Sequence, residues 1–209
     1  MDEILKNMDI EKRDRVINSA IEEFSVYPYE KASTNNIVKN AEISKGLLFH
    51  YFGNKKELYE ALIEFVLNNL VNGITGGIDW DETDLFERIK QMVMVKMDIG
   101  RKYPNMFDFL LKVLTDMNTK KIEDVMKFYD KYGVNIQSIM GDVYSRNIDF
   151  SLFSDTITLD KSIKVIQWTL EKYVEEKLLS IDKMENYDFD QILTELDEYI
   201  NILKKALYN

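Results

Sequence analysis

The chain has 209 residues, with 27 Lys+Arg against 37 Asp+Glu and a formal net charge of −10. That length suits one domain of moderate size, or a small domain fused to a larger one. Cysteine is absent and His50 is the single histidine, which excludes disulfides, thiolate nucleophiles, and zinc or iron–sulfur centres, and leaves a catalytic triad only one possible base.

The first 15 residues are charged throughout and lack the apolar run of a signal peptide. Val16, Ile17, Ala20, Ile21 and Phe24 share one helical stripe, which predicts a first helix over about 10–25, stopped by Pro28. Ser33 or Thr34 can cap a short helix over 35–41, and Ser44 a second one beginning SKGLLF. Asn54 caps a longer helix whose buried side carries Leu58, Leu62, Phe65, Val66 and Leu70. Gly73, Gly76 and Gly77 then read as the clearest linker. Beyond them the periodicity predicts five helices, at about 82–102, 104–117, 119–146, 160–181 and 188–207, with a long break over 147–158.

Two Pro and eight Gly leave little material for a turn-rich β fold, and the 45% hydrophobic content argues against disorder. The expected fold is all-α, with about nine helices. The longest uncharged apolar-leaning stretch, 65–78, holds three Asn and three Gly and cannot span a bilayer. A cytoplasmic protein is the simplest expectation.

Taken whole, an acidic chain is repelled by phosphate backbones. The charge is segregated, however. Residues 31–56 hold Lys31, Lys39, Lys45, Lys55 and Lys56 against Glu42 alone, so 5 − 1 = +4 there and −14 elsewhere. This basic island coincides with two short helices and a tight turn, the size of a DNA-reading helix–turn–helix. The second short helix would offer its free N–H groups to phosphate, Lys45 to guanine or phosphate, and at Gly46 a backbone with no side chain in the way.

The segment STNNIVKNAEISKGLLFHYFGNKKEL resembles the DNA-binding region of the tetracycline-repressor (TetR) family. Thr34, Ile37, Ala41, Ser44-Lys45-Gly46, the aromatic at 49, the pair Tyr51-Phe52 and Lys55 carry the likeness, which covers about residues 10–65. Phe49 stands where the family usually has Tyr, and Glu42 where glycine is common in the turn. The resemblance implies a helix–turn–helix DNA-binding domain over 1–54 and a helical ligand-binding and dimerisation domain over 55–209. It implies DNA contacts by Thr34, Ser44, Lys45, Gly46, Leu47, Phe49, His50 and Lys55. Leu48, Phe52 and Ile43 are expected in the core, and Tyr51 on the first helix or at phosphate.

The rest of the chain is rich in Met and aromatics, among them Met94, Met97, Met117, Met126 and Met140, which suits an adaptable apolar chamber as well as a plain core. The resemblance implies such a chamber, for which Phe65, Met92, Tyr103, Phe107, Phe128, Tyr132 and Trp168 are the candidates. The helix at 160–181 carries apolar residues on more than one side (Val165, Ile166, Trp168, Leu170, Leu178, Leu179), which points to pairing of the last two helices with those of a second copy.

The expected partners are therefore a double-stranded DNA operator, a second copy of the chain and a small-molecule effector, with no membrane, cofactor or metal. The expected function is a transcriptional regulator, in the first instance a repressor on a palindromic operator, released when an apolar or amphiphilic ligand favours a state with the reading heads moved apart. The glycines at 73–77 would absorb that motion. A small-molecule binding module with vestigial DNA binding is the competing reading. An all-helical enzyme ranks far below, since no nucleophile, acid and base come together in the sequence.

Overall fold

A computed structural model describes residues 9–116, 122–179 and 188–209. Among them are ten α-helices: α1 Ile10–Val26, α2 Thr34–Asn40, α3 Lys45–Phe52, α4 Lys55–Gly77, α5 Leu85–Lys102, α6 Met106–Asp116, α7 Ile122–Lys131, α8 Ile136–Ser145, α9 Leu159–Leu179 and α10 Phe189–Leu207. The fold is all-α, as expected. No described helix is long and apolar enough to cross a membrane. The expected break at Asn118–Thr119, and the side chains of Met117, Met126, Leu178 and Leu179, lie outside the described part of the structure.

Two compact units divide the chain. The first comprises residues 1–72 and 99–136. Its core follows the α1 stripe: Val16, Ile17, Ala20 and Ile21 are fully buried with Ile37, Leu48, Leu58 and Leu62. Helix α1 packs on α6, where the Phe24 and Phe109 rings lie 6.4 Å apart.

The expected single helix over 119–146 is two. Gly133 adopts φ +70°, the Val134 N–H donates to the Tyr129 carbonyl at 3.0 Å, and the Gly133 N–H to that of Asp130 at 3.0 Å. This left-handed cap consumes the carbonyls at the end of α7 and turns the chain away before α8.

The second unit comprises residues 73–98 and 137–209. Its core joins Phe86, Ile89, Met92 and Val93 of α5 to Val143, Ile166, Leu170, Leu196 and Leu203. Arg88 lies fully buried inside it. Its Nη1 donates to the Arg146 carbonyl and its Nη2 to the carbonyls of Glu82 and, at 3.1 Å, Trp80. Burial pulls the Arg88 pKa below its ordinary 12.5. At the chain end, Lys204 pairs with Asp84 at 2.8 Å and Glu87 at 2.9 Å, and the Tyr208 hydroxyl donates to Asp84. Within the loop at 147–158, a 3₁₀ turn at Phe150–Leu152 is followed by a single antiparallel bridge between Phe153 and Tyr208.

The expected glycine linker is helix instead: α4 runs unbroken to Gly77. Ile74 and Ile78, four residues apart, are buried on one face and hold this end of the helix in the second unit's core. A Cβ on Gly77 would stand 2.4 Å from Cγ2 of Val95, whereas one on Gly76 would meet nothing within 4 Å. Gly77 thus permits close helix packing, and the proposed role of this segment in absorbing a swing loses its basis. Gly77→Ala is expected to lower stability by about 1–3 kcal/mol through overpacking. Gly76→Ala should raise it by up to about 1 kcal/mol through helix propensity. Denaturant unfolding of the two variants checks this, and a gain in both would refute the packing account.

Candidate nucleic-acid interface and a cavity beside it

The helix–turn–helix is held by caps that the sequence spells out. Ser33 caps α2, accepting from the Asn36 N–H at 3.4 Å, and Ser44 caps α3, accepting from the Leu47 N–H at 3.1 Å. Between them the Ile43 N–H donates to the Val38 carbonyl at 3.0 Å, with Glu42 at φ +55°. This is the left-handed cap seen at Gly133, here on a residue with a side chain, a conformation that costs roughly 1–2 kcal/mol. Leu48 and Phe52 pack inward as expected. Ile43, expected beside them, is only half-buried, because it already lies in the turn outside both helices.

Glu23 is the residue that sequence reasoning missed. It is 7% exposed on α1, and its Oε1 accepts from the Ser33 N–H at 2.6 Å. The Asn36 amide donates to its Oε2 at 3.2 Å. A carboxylate is thereby set at the positive end of α2, binding α1 to the reading motif. Its place beside Phe24 on the buried stripe was the available signal, since a buried acid needs partners.

The exposed face of the motif carries Lys45, Gly46 and His50, with Leu47 and Phe49 half-buried behind them. Lys45 Nζ donates to Asn35 Oδ1 at 3.0 Å, a bond between α2 and α3 that holds the ammonium at the surface. A Cβ on Gly46 would meet only Ser44 Oγ, at 4.0 Å, so the α3 backbone is open at this point. His50 packs edge-on to Tyr51 at 5.4 Å. Thr34 opens α2 and is half-buried. Lys55 lies over the Tyr29 ring at 4.8 Å, and its Nζ donates to the Glu30 carbonyl at 3.3 Å.

On the same unit, Tyr29 also lines a cavity of about 360 Å³. Helix α4 contributes Lys56, Tyr59, Glu60 and Ile63 to its wall, α6 Val113 and Asp116, and the end of α7 Phe128, Lys131 and Tyr132. The Tyr29 and Tyr59 rings stand 5.0 Å apart, and those of Phe128 and Tyr132 5.3 Å. Burial, and after it the charge of Asp116, pushes the Tyr59 hydroxyl up to about 12, so it stays protonated and able to donate.

Residues 16–62 match the family model for "Bacterial regulatory proteins, tetR family". The chain carries a TetR-family N-terminal domain. It is 33% identical over 86 residues to the nucleoid occlusion factor SlmA of Haemophilus influenzae (strain PittGG), covering 41% of this chain and 37% of that protein. It is 24% identical over 133 residues to the biofilm operon icaADBC HTH-type negative transcriptional regulator IcaR of Staphylococcus aureus (strain Newman), covering 57% and 70%. In the SlmA comparison the chain thus spans little more than a third of its relative. The whole fold is similar to solved TetR-family structures. That of a regulator from Chloroflexus aurantiacus J-10-FL has a TM-score of 0.58 at 18% identity, covering 99% of this chain and 98% of that one. One from Shewanella sp. PV-4 has a TM-score of 0.55 at 15% identity, covering 96% and 100%.

Within this TetR-type chain the eight expected DNA contacts all fall on or beside α2 and α3. The expected chamber residues scatter. Phe128 and Tyr132 line the cavity. Phe65 instead packs edge-on to buried Tyr103 at 5.1 Å, and Phe107 is half-buried on α6. Met92 borders a void of about 40 Å³ in the second unit, too small for an effector. Trp168 is 71% exposed and lines no chamber. The cavity's other walls, Tyr29 and Tyr59 above all, belong to the stretch that reads as DNA-binding motif, which hid them from a search confined to the later helices. For the motif itself, Glu23→Ala is expected to lower unfolding stability by about 2 kcal/mol, since it strips the Ser33 N–H of its partner. A loss within about 0.5 kcal/mol in urea titration would show that the carboxylate is not what holds α2.

Proposed function

We propose that this protein is a DNA-binding transcriptional regulator that acts as a homodimer on a palindromic operator, in the repressing sense, and answers to a small-molecule effector. The observation that carries this reading is the capped α2–α3 motif with Lys45, Gly46 and His50 exposed on one basic face, in the segment that matches the TetR family model. Lys45 and Leu47 face base edges, and Thr34, Ser44, Phe49, His50 and Lys55 serve the backbone. Lys45 exchanges its bond to Asn35 for phosphate or guanine on binding, and Lys55 exchanges the Glu30 carbonyl. The division of labour runs along the chain, with DNA reading over 1–54 and effector binding and pairing over 55–209. The protein works in the cytoplasm and needs no catalytic residue.

Pairing is assigned to the last two helices. Val165 and Trp168 on α9 are 39% and 71% exposed, and Tyr199 and Ile202 on α10 are 42% and 62%. Two apolar pairs at i, i+3 spacing on neighbouring helices are surface that a second copy covers. Two reading helices about 34–36 Å apart then meet successive major grooves. The cavity beside Tyr29 is the effector site, because Tyr29 both lines it and carries the Lys55 ammonium on its ring. An effector that prefers a displaced Tyr29 alters DNA affinity by that preference and no more.

Selection of sites from random DNA should return a palindrome. On that site, Lys45→Ala with Lys55→Ala should weaken the gel shift and reduce the salt slope of log K by about two. An unchanged slope in the double variant would sink the proposed docking. Trp168→Asp with Ile202→Lys should shift sedimentation equilibrium from dimer to monomer. Persistence of the dimer would move pairing to another surface.

A further inference from the structure

The cavity's chemistry says more than that it is a cavity. Four rings, Tyr29, Tyr59, Phe128 and Tyr132, make up much of its wall, and two acids, Glu60 and Asp116, enter it from α4 and α6. Aromatic faces attract cations and give anions no comparable welcome. The charged groups facing the space are Lys56 and Glu60 from α4, Asp116 from α6 and Lys131 from α7.

The positive charges are the more peripheral. Lys56 is exposed, and the Lys131 side chain is 62% exposed, touching Glu60 at a loose 3.9 Å. The Asp116 side chain is 29% exposed, and it pairs at 3.3 Å with Lys112, one turn earlier on α6. The acids thus sit deeper than the lysines, with side-chain exposures of 44% for Glu60 and 29% for Asp116. The raised Tyr59 pKa agrees, because the neighbouring charge acting most strongly on it is that of Asp116. A volume near 360 Å³ holds one or two rings with a short chain, not an extended lipid or a peptide.

We infer that the effector cavity takes a small aromatic monocation, its ring among the tyrosines and Phe128 and its ammonium group between Glu60 and Asp116. The inference rests on the reading of this cavity as the effector site. Binding replaces the loose Lys131–Glu60 contact by a closer pair with the ligand, and the Tyr59 hydroxyl stays a neutral donor beside it. The −14 carried outside the basic island favours accumulation of cations around the protein before they enter.

Three probes that share one skeleton test the assignment: 3-phenylpropylammonium, 3-phenylpropanol and 3-phenylpropionate, titrated calorimetrically into the full chain at pH 7. The ammonium compound should bind roughly tenfold or more tightly than either of the others. Glu60→Gln with Asp116→Asn, checked for an unchanged circular dichroism spectrum, should bring the ammonium down to the affinity of the alcohol. Should that pair fail to fold, Glu60→Gln alone should cost the ammonium several-fold and the alcohol nothing. Equal or tighter binding of the alcohol or the carboxylate, or no binding of the ammonium at ~10 mM, overturns the inference. Gel shift of the ligand-free protein on its selected site separates the two claims. A chain that takes the ammonium and shifts no DNA overturns the regulator reading alone, and one that shifts DNA and ignores the ammonium overturns this inference alone.

Discussion

The reading motif depends on one buried carboxylate. Helices α2 and α3 have seven and eight residues, too short to hold together in water without tertiary support. Glu23 supplies it from α1, by accepting the N–H of the α2 cap residue and the amide of Asn36. The bond fixes where α2 begins, and the left-handed turn at Glu42 then fixes where α3 begins. Ser44 closes the first turn of α3, and Asn54 starts α4 by accepting from the N–H groups of Lys56 and Glu57. Four consecutive elements are therefore placed by local polar contacts, each within hydrogen-bond reach of the next. The apolar core under them sets how firmly they sit, while the polar chain sets their direction.

That arrangement reconciles an acidic protein with a nucleic-acid reading. Net charge governs non-specific attraction, and at −10 there is little of it. The +4 segment coincides with the one place where helix N-termini and exposed lysines face the same way, so attraction is confined to a single docking orientation. Lys45 and Lys55 are also both held by neutral partners, an amide oxygen and a peptide carbonyl, rather than by carboxylates. A neutral partner is released to phosphate more readily than an ionic one.

Much of the fold was legible because helical stripes and caps are local signals. The α1 stripe, the Ser33 and Ser44 caps and the apolar runs of α9 and α10 all lie where periodicity puts them. Two misreadings share a cause: a glycine says only that a side chain is missing. At 73–77 the cluster reads as a linker, yet Gly77 serves a close approach to Val95 that only tertiary structure reveals. At 133 a lone glycine inside an apolar pattern reads as tolerated, yet it ends a helix through a positive φ. Glu23 escaped for a related reason, since its partners, at 33 and 36, lie across a loop. The DNA face was legible almost residue by residue. The cavity was not, because its walls come from three helices and a loop, and aromatic content alone does not say which rings meet.

Arg88 bears on how the second unit comes to be folded at all. Its guanidinium is satisfied by carbonyls near the start of its own helix and by that of Arg146, 58 residues away in the chain. Until α8 has arrived, docking α5 would strand part of a cation in an apolar interior, an arrangement several kcal/mol uphill. Half-assembled forms of this unit are thus penalised far more than a purely hydrocarbon core would penalise them. Arg88 works as a checkpoint on assembly: the unit closes with both segments in place or it opens, with little population in between.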